Sequence, residues 1–501
     1  MSALFLAATV RRIEQAWLAA LAPGVLMDRA ASAVADAAAH LARAQPRGTP
    51  IVALAGPGNN GGDALLAALK LRQRGFEVEV LSLTGAPPLA ADACAAWTAW
   101  TAAAGTPVSV EALPAWLNRS AIVIDGLFGI GLARPLEGEA ALVAEHLQPA
   151  WRRVVAVDVP SGLDADTGCV VGGRHGVAVR AAITVTMIGD KPGLHTAAGA
   201  DLAGRVHVAT LGIAGWPDGS ALGGDGELFG ATQAARLLGP RARDTHKGSF
   251  GAVTVIGGAA GTTGAALLAA LGAQAMGAGR VWIASPDATV FDPGQPQLMT
   301  RPIDAPLDAM DALCTGCGLG RSDAARAALA RALASQAALV LDADALNLLA
   351  EDPVLVRALA HRNTPVVLTP HPLEAARLLG VSVAQVQADR VASAQQLAAR
   401  LRATTILKGA GSVVASPDGS WSLIASGSPA LATAGTGDVL AGVVAALLAQ
   451  RRTPHQAACL GAWAHGAAGD LWQAAHPTGA GLSAAQLPAL VVERLQNALE
   501  P

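Results

Sequence analysis

Oxygen-bearing side chains stand at three turns in the first half of the chain. Asn60 follows an apolar run and a glycine-rich turn, Asp125 ends a second apolar run, and Asp158 and Ser161 follow a third. If these runs are neighbouring parallel strands, their carboxyl ends line one crevice and the side chains converge there. Oxygen ligands with no basic neighbour suit a hard cation. The alternative is that each Asp only caps the turn that follows it.

Asn60 belongs to a turn that begins with a Gly-x-Gly-x-x-Gly pattern. Gly56, Gly58 and Gly61 follow a predicted strand and precede a predicted helix, Ala64–Arg74. In that setting backbone N–H groups can approach a phosphate. The same pattern is compatible with a nicotinamide dehydrogenase fingerprint, or with a tight turn that binds no ligand.

The second half carries a run of small residues that ends on a carboxylate. Residues 427–437 are mostly Gly, Ala, Ser and Thr, and Asp438 then opens the predicted helix Val439–Gln450. Backbone N–H groups at such a helix start can hold the negative charge of a transferring phosphoryl group. Asp438 could accept a proton from a substrate hydroxyl there, or it could merely cap the helix.

Three other segments of the second half contain residues with catalytic or binding chemistry. Lys408–Ser412 joins two predicted strands, as a nucleotide-phosphate turn or as a plain hairpin. His371 stands at a proline-stiffened strand end, where a histidine can be structural or catalytic. Asp342 and Asp344 follow a strand and can either cap the next helix or attract Mg²⁺.

These residues must be positioned by alternating strands and helices. Short runs rich in Val and Ile alternate with Ala/Leu-rich segments throughout, and continuous apolar strands separated by helix-length segments predict parallel sheets covered on both faces. The segment Gly212–Glu227 contains Pro217 and six glycines and is the predicted domain boundary. We therefore expect two tandem α/β domains. The predicted strands are Ile51–Ala55, Glu77–Leu83, Ala121–Asp125, Val154–Val159, Ala182–Met187, Ala252–Ile256, Arg280–Ala284, Ala338–Leu341, Pro365–Leu368, Thr405–Lys408 and Ser412–Ala415.

Composition excludes several classes of partner. The 501 residues carry a net charge of −3, so there is no broad electrostatic attraction to nucleic acid or to an anionic membrane. Aromatic residues make up only 3% and Tyr is absent, which leaves few stacking platforms for single strands. The uncharged stretch 249–279 is interrupted by glycines, which argues against a membrane span. We therefore expect a small-molecule ligand.

Cysteine usage points to a reducing compartment. Five cysteines are an odd number and too few for a disulfide framework, which is typical of a cytoplasmic protein. Cys314 and Cys317 have the spacing of a zinc or redox pair, but no second Cys/His pair stands near them. We interpret them as part of a backbone loop of small residues that continues into Gly318–Gly320.

The first half resembles the NAD(P)H-hydrate epimerase (YjeF N-terminal) family. The resemblance implies that Asn60, Asp125 and Ser161 bind K⁺, and that Asp158 is the acid or base for inversion at C6. One departure is Ala64, where the family usually has Gly. The matching segments are Gly56–Asp63, Asp125–Gly131, Val157–Leu163, Thr184–Met187 and Lys191–Leu194, with Leu26–Ala30 as a weaker match. The implied contacts of the hydrated nucleotide are Asn59, Asn60, Gly61, Gly62, Asp63, Gly129, Ile130, Gly131, Leu132, Ala133, Arg134, Pro135 and Asp158.

The second half resembles the ADP-dependent NAD(P)H-hydrate dehydratase family, which has a ribokinase-like fold. This chain departs from the family pattern at three positions, Leu373, Cys317 and Ala434. The matching segments are His246–Gly251, Gly257–Ala265, Gly318–Gly320, Asp342–Leu346, Thr369–Glu374, Lys408–Gly409 and Gly427–Asp438. The resemblance implies that the S-hydrate contacts Ala265, Gly320, His371 and Asp438, and that the adenine nucleotide contacts Lys408, Gly409, Ala410, Gly411, Ser412 and Gly437.

Together the two resemblances imply repair of a nicotinamide nucleotide. A Rossmann-like domain (residues 1–213) would interconvert R and S hydrates, NADHX and NADPHX, with K⁺. After a linker (214–227), a ribokinase-like domain (228–501) would dehydrate the S form with ADP and Mg²⁺, giving AMP and phosphate. We expect a cytoplasmic homo-oligomer with no nucleic-acid or membrane partner. The alternatives are a vitamin-precursor or sugar kinase with an N-terminal nucleotide-binding domain, and a non-catalytic nicotinamide-nucleotide sensor.

Overall fold

The computed structural model describes residues 2–287 and 289–498, which form two compact units. The first unit ends at Gly226, near the C-terminal end of the predicted boundary segment. Most of that segment packs on the first unit. The Trp17 indole Nε1 donates to the carbonyl of Gly215 at 2.9 Å, and the Leu6 N–H donates to the Asp225 carboxylate at 2.8 Å.

One parallel sheet organises the first unit. The strands of this unit are β1 (Ser2–Leu4), which lies outside that sheet, and β2 (Ile51–Ala55), β3 (Val78–Ser82), β4 (Val108–Ser109), β5 (Ile122–Gly126), β6 (Val154–Val157), β7 (Ile183–Met187) and β8 (Arg205–Ala209). Its helices are α1 (Ala7–Ala20), α2 (Val25–Arg43), α3 (Asn59–Gln73), α4 (Ala91–Ala104), α5 (Leu113–Asn118), α6 (Gly138–Leu147) and α7 (Gly199–Leu202). Strands β2 to β8 pair in the order β4-β3-β2-β5-β6-β7-β8, and every pair is parallel.

The strand order of this sheet reverses between β2 and β5. The chain moves outward from β2 through β3 to β4, returns to β5, and then continues outward to β8. Both central strands are buried along their whole length, with α1 to α4 packed on one face and α5 and α6 on the other. In open parallel sheets the carboxyl ends of the strands at such a reversal border a crevice, so the ligand site is expected there.

The second unit contains a larger sheet with one reversed strand. Its strands are β9 (Gly226–Phe229), β10 (Ala252–Ile256), β11 (Arg280–Ala284), β12 (Met299–Thr300), β13 (Ala312–Thr315), β14 (Ala338–Leu341), β15 (Val366–Leu368), β16 (Thr404–Leu407), β17 (Val413–Ala415) and β18 (Trp421–Ile424). They pair in the order β9-β18-β17-β16-β15-β14-β13-β10-β11-β12. Only β17 among them runs antiparallel to both of its neighbours in the described part of the chain.

Helices cover both faces of this second sheet. They are α8 (Ala231–Leu237), α9 (Thr263–Ala275), α10 (Asp323–Ala334), α11 (Asp344–Glu351), α12 (Pro353–Ala360), α13 (Pro372–Leu379), α14 (Val383–Ala388), α15 (Arg390–Leu401), α16 (Thr436–Ala449), α17 (Pro454–Ala475) and α18 (Leu487–Asn497). The most deeply buried is α16, which packs against α9. A Cβ at Gly442 would lie 1.8 Å from the carbonyl oxygen of Ala269, so glycine is what allows these two backbones to touch.

The predicted α/β class with parallel sheets is confirmed, while several boundaries were wrong. Helix α3 begins at Asn59, five residues before the predicted start at Ala64, so the glycine-containing segment Asn59–Asp63 is helical. Two internal strands, β13 and β18, were not predicted, since they are short and lack the expected Val/Ile run. Five further strands were also not predicted: β1, β4, β8, β9 and β12. Of the described helices, none combines the length and the apolar character needed to cross a lipid bilayer.

Candidate active sites

A cavity of about 480 Å³ opens at the strand reversal of the first unit. It is bordered by the start of α3, by the loop after β5 and by the turn after β6. The predicted substrate contacts that line it are Asn59, Asn60, Asp63, Gly129, Ile130, Gly131, Leu132 and Asp158. The cavity therefore gathers residues from three sequence-distant segments, as the strand-end argument predicted.

Asp158 has a buried basic partner. Its carboxylate Oδ1 lies 2.8 Å from the ammonium of Lys191 and accepts the backbone N–H of Met187 at 3.2 Å. The Lys191 side chain is fully buried and also donates to Thr186 Oγ1 at 2.7 Å. The expectation that these oxygen ligands have no basic neighbour is therefore wrong for Asp158, because a lysine 33 positions later folds back onto it.

The backbone of Asp158, which lines the cavity, has an unfavourable conformation. Its φ of 67° lies in the left-handed region, which costs free energy for a residue other than glycine. Ile188, which also lines the cavity, has a φ of 69°. Such strain persists only where the surrounding structure holds it, and here the Asp158 N–H donates to the Val185 carbonyl at 2.8 Å while the side chain contacts Lys191.

Two more carboxyl groups line the same cavity and favour their neutral forms. Burial, followed by repulsion from Asp158 and Glu14, raises the pKa of Asp63 well above its usual value. Burial, followed by repulsion from Asp158, raises the pKa of Glu14, while Lys191 and Arg11 partly oppose the rise. The site therefore combines an ion-paired carboxylate with two carboxyl groups that hold protons more readily.

Asp125 and Ser161 form a fully buried pair beside this cavity. The Ser161 hydroxyl donates to Asp125 Oδ1 at 2.7 Å, and the Ser161 N–H donates to Oδ2 at 2.9 Å. Burial raises the pKa of Asp125 to about 6 despite these hydrogen bonds. In the described part of the chain, no Lys, Arg or His forms an ion pair with Asp125.

Asn60 connects the glycine-rich turn to the end of β6. Its Nδ2 donates to the carbonyl of Val157 at 2.7 Å, and its amide packs against Gly129, where an added Cβ would lie 2.4 Å from Asn60 Oδ1. An added Cβ at Gly61 would lie 2.0 Å from the Gly56 carbonyl. Asn60 thus holds two walls of the cavity together.

Other predicted contacts of the nucleotide lie outside the cavity wall. Gly62 packs against Met27 and Ala93. Ala133 and Arg134 continue the chain beyond the lining loop, and Pro135 packs against Gly172.

In the second unit, Lys408 and Asp342 meet at the carboxyl ends of β16 and β14. The Lys408 ammonium donates to Asp342 Oδ1 at 2.9 Å, and an added Cβ at Gly437 would lie 3.3 Å from that ammonium. Burial lowers the pKa of Lys408, but attraction by Asp342 and Glu374 outweighs burial, so the net pKa is raised. A lysine that stays charged therefore lies beside the first turn of α16.

Asp438 stands in that first turn. The helix follows Gly435, whose φ of 91° is in the left-handed region, and the His465 ring donates from Nε2 to the Thr436 carbonyl at 2.8 Å. Burial, followed by repulsion from Asp342, raises the pKa of Asp438 to about 6. Asp438 is therefore a carboxylate poised near neutral pH beside the free N–H groups of a helix start, as a general base requires.

His371 is both a helix cap and a half-exposed ring. Its Nδ1 accepts the N–H of Leu373 at 3.1 Å, so a neutral ring carries its proton on Nε2. Burial, followed by the charge of Lys408, lowers the pKa of His371. Burial raises the pKa of Glu374 to about 7. The Glu374 Oε2 accepts the backbone N–H of His371 at 2.8 Å. The structural and ligand-contact interpretations of His371 are thus compatible.

The remaining predicted residues lie on two loops and in one helix turn of the second unit. The Lys408–Ser412 turn closes the antiparallel β16–β17 hairpin, and the Arg390 guanidinium lies under Gly409. The Gly320 N–H donates to Asp344 Oδ2 at 2.8 Å, and Ala265 lies in the first turn of α9.

Two family descriptions match this chain. The YjeF-related protein N-terminus matches residues 23–193, and NAD(P)H-hydrate dehydratase matches residues 253–489. The bifunctional NAD(P)H-hydrate repair enzyme Nnr of Escherichia coli strain K12 is 36% identical over 425 residues, which cover 83% of this chain and 80% of that protein. The chain belongs to the bifunctional NAD(P)H-hydrate repair enzyme family.

A further relative matches most of the chain, and a solved structure matches part of it. The protein of the same name from Moorella thermoacetica is 37% identical over 474 residues, which cover 89% of this chain and 87% of that protein. A crystal structure of the ADP/ATP-dependent NAD(P)H-hydrate dehydratase from Bacillus subtilis, co-crystallised with ATP/Mg²⁺, is 30% identical with a TM-score of 0.49 and covers 55% of this chain and 99% of that one.

The sequence analysis gave no role to several residues of this family member. Lys191 was noted only as part of a matching segment, although a lysine between a buried strand and a Pro-Gly turn is a signal that could have been weighed. Glu14 and Arg11 lie on α1 and have no local motif. Cys317 was interpreted only as a loop residue, and in that loop its sulfur lies within 4.8 Å of carboxylate oxygens of Asp342 and Asp438.

Proposed function

We propose that this chain repairs hydrated nicotinamide nucleotides with one reaction in each unit. The first unit interconverts R and S forms of NADHX and NADPHX. The second dehydrates the S form with ADP, giving AMP and phosphate. The observation that carries this proposal is the match, over 83% and 89% of this chain, to two proteins that are both named bifunctional NAD(P)H-hydrate repair enzyme.

Asp158 is the proposed acid or base of the first reaction. Its carboxylate borders the cavity, and the contact with the Lys191 ammonium orients it. A carboxylate at the reacting carbon can accept the C6 hydroxyl proton as the C6–N1 bond breaks and its electron pair passes to N1, and can return the proton when N1 adds to the other face of the C6 carbonyl. We assign substrate binding to Asn59–Asp63, to residues 129–135 and to Asp158, with the residues outside the wall acting as supports.

Asn60, Asp125 and Ser161 are the proposed K⁺ ligands. A buried carboxylate that pairs with no described basic side chain is the kind of oxygen that fits a monovalent cation. A bound K⁺ would neutralise Asp125. Ser161 would then help to hold the loop after β5 in place, because the Phe128 N–H in that loop donates to Ser161 Oγ at 2.9 Å.

Asp438 is the proposed base of the second reaction. It accepts the proton of the C6 hydroxyl as that oxygen bonds to the terminal phosphorus of ADP, and the bond from phosphorus to AMP breaks. Phosphate then leaves C6 with the bonding electron pair, and loss of a proton from C5 restores the ring double bond. Phosphorylation thus converts hydroxide, a poor leaving group, into a good one.

The phosphate charge is held at the start of α16. Lys408 stands beside Gly437 there, so a cation and free helix N–H groups act together. Asp342 uses Oδ1 for Lys408, and its Oδ2 lies 3.9 Å from the Cβ position at Gly437. That free oxygen fits Mg²⁺, which proteins bind through one or two carboxylates plus substrate phosphates, and the ion would neutralise phosphate charge.

The other contacts are proposed as follows. Ala265, Gly320 and His371 border the S-hydrate with Asp438, and Lys408–Ser412 and Gly437 contact the adenine nucleotide. We also propose a cytoplasmic homo-oligomer that binds neither nucleic acid nor membrane.

Recovery of dihydronicotinamide absorbance tests the proposal. A mixture of R- and S-hydrated NADH would be incubated with the protein, ADP, Mg²⁺ and K⁺. We expect the whole mixture to recover, the Asp158→Asn variant to stop at the S fraction, and the Asp438→Asn variant to recover none. A stable phosphorylated product would instead indicate a kinase. Ligand binding without any turnover would indicate a sensor.

A further inference from the structure

Cys317 lies close to the two acidic groups of the second-unit site. It follows β13, and its thiol is fully buried. One ligand atom each from Cys317, Asp342 and Asp438 lies within 4.8 Å of the other two. The Cys314 sulfur is 4.0 Å from the Cys317 sulfur, so a second thiol lies next to these three residues.

This group carries more negative charge than its one close cation neutralises. Lys408 forms an ion pair with Asp342, whereas no Lys, Arg or His in the described part of the chain forms one with Asp438. A buried surplus of negative charge next to a thiol is an environment that a divalent cation would stabilise.

We propose that Cys317, Asp342 and Asp438 form a binding site for a thiophilic divalent cation such as Zn²⁺ or Cd²⁺. Sulfur and oxygen ligands stand about 2.3 Å and about 2.1 Å from zinc, so they are separated by less than 4 Å and small side-chain rotations bring the three together. The metal–sulfur bond forms as the thiol proton passes to solvent. Three anionic ligands then balance the metal and Lys408, and a fourth position stays open.

The thiol separates this site from one for Mg²⁺. Magnesium prefers oxygen ligands, whereas thiolate selects softer metals. This consequence rests on the proposed function: a metal bound to Asp438 would prevent it from accepting a proton and would stop dehydration. The first reaction would be unchanged. Metal binding itself does not depend on that function.

Cadmium titration of the full chain tests the site without reference to activity. All samples would carry Cys94→Ser and Cys169→Ser, which remove the two partly exposed thiols. The readout is the ultraviolet thiolate-to-cadmium charge-transfer band in nucleotide-free buffer. In this background we expect one equivalent of Cd²⁺ to bind. The matched control is Cys459→Ser, which removes a buried thiol of α17, and it should leave the band intact.

Cys317→Ser should abolish the band, and Asp438→Asn, which keeps the thiol, should weaken Cd²⁺ binding at least tenfold. Equal band and affinity in Cys317→Ser and Cys459→Ser would overturn the site, and so would unchanged affinity in Asp438→Asn. If Cys317→Ser does not unfold cooperatively, the Asp438→Asn comparison decides. Inhibition of dehydration by Cd²⁺ is a separate measurement, so failure of the proposed function would leave the binding result readable.

Discussion

The ammonium of Lys191 lies 2.8 Å from the carboxylate of Asp158, and water reaches almost none of either side chain. Asp158 follows β6 and Lys191 follows β7, so both residues lie at the carboxyl ends of two neighbouring parallel strands. Each charge is stable in this position only because the other is present.

Replacing Lys191 with Met should damage both stability and the first reaction. The Asp158 charge would lose its partner in a buried place, which costs about 3–5 kcal/mol. Epimerisation should fall by about 10²-fold or more, because the acid or base is no longer oriented. Urea unfolding and an epimerisation assay would measure the two effects. The control is Lys70→Met, which breaks an ion pair with the exposed Asp28 and should cost less than about 1 kcal/mol.

The second reaction should depend on pH through Asp438. A base must be ionised to accept a proton, and the pKa of this carboxyl is raised to about 6. We therefore expect kcat/KM for dehydration to rise with pH up to about 6 and then to level off. Asp438→Asn should lose about 10²- to 10⁴-fold in rate. The exposed Asp418→Asn should behave as wild type, and an unchanged rate in Asp438→Asn would exclude the assigned base.

Gly129→Ala and Gly131→Ala form a matched pair. An added methyl at Gly129 would meet the Asn60 amide at 2.4 Å, whereas nothing lies within 4 Å of the Cβ position at Gly131. Displacing Asn60 breaks its hydrogen bond to Val157, so we expect Gly129→Ala to raise KM for the hydrate and to weaken the K⁺ response. Kinetics at varied K⁺ would show this effect. Equal behaviour of the two variants would mean that the Asn60 contact does not matter.

Potassium should stabilise the first unit more at pH 8 than at pH 5. Burial raises the folded-state pKa of Asp125 from 3.8 to about 6, so ionisation makes a destabilising contribution that appears as pH rises through that range. A bound cation would remove it above pH 6 and would have little effect on the protonated group. Thermal unfolding in KCl and in choline chloride would reveal the difference. The difference should vanish in Asp125→Asn.

The sequence predicted the strands that present the sites because those strands are continuous apolar runs. Asp125 and Asp158 end such runs, and Asp438 follows small residues, so local pattern was enough to select them. The start of α3 was placed too late, because a Gly-Gly pair reads as a loop although tertiary packing around Gly61 and Gly62 keeps it helical.

What local pattern could not supply is the identity of long-range partners. Lys191 pairs with Asp158, and Glu14 reaches the cavity from a helix near the start of the chain. Neither contact has a fixed sequence separation, since each depends on how strands and helices are ordered in the sheet. The burial that shifts the pKa of Asp438 is likewise a property of the packed α16 and not of its sequence.

The proposed acid or base and the proposed K⁺ ligands of the first unit lie at the carboxyl end of its sheet, which leaves the amino end available for engineering. The turns that enter β2 and β5 lie there, with Gly48 and Ser120 exposed. A five-residue strand separates each turn from the cavity by about 15 Å. A fluorophore or an immobilisation tag attached at either turn should therefore report on the enzyme without obstructing it.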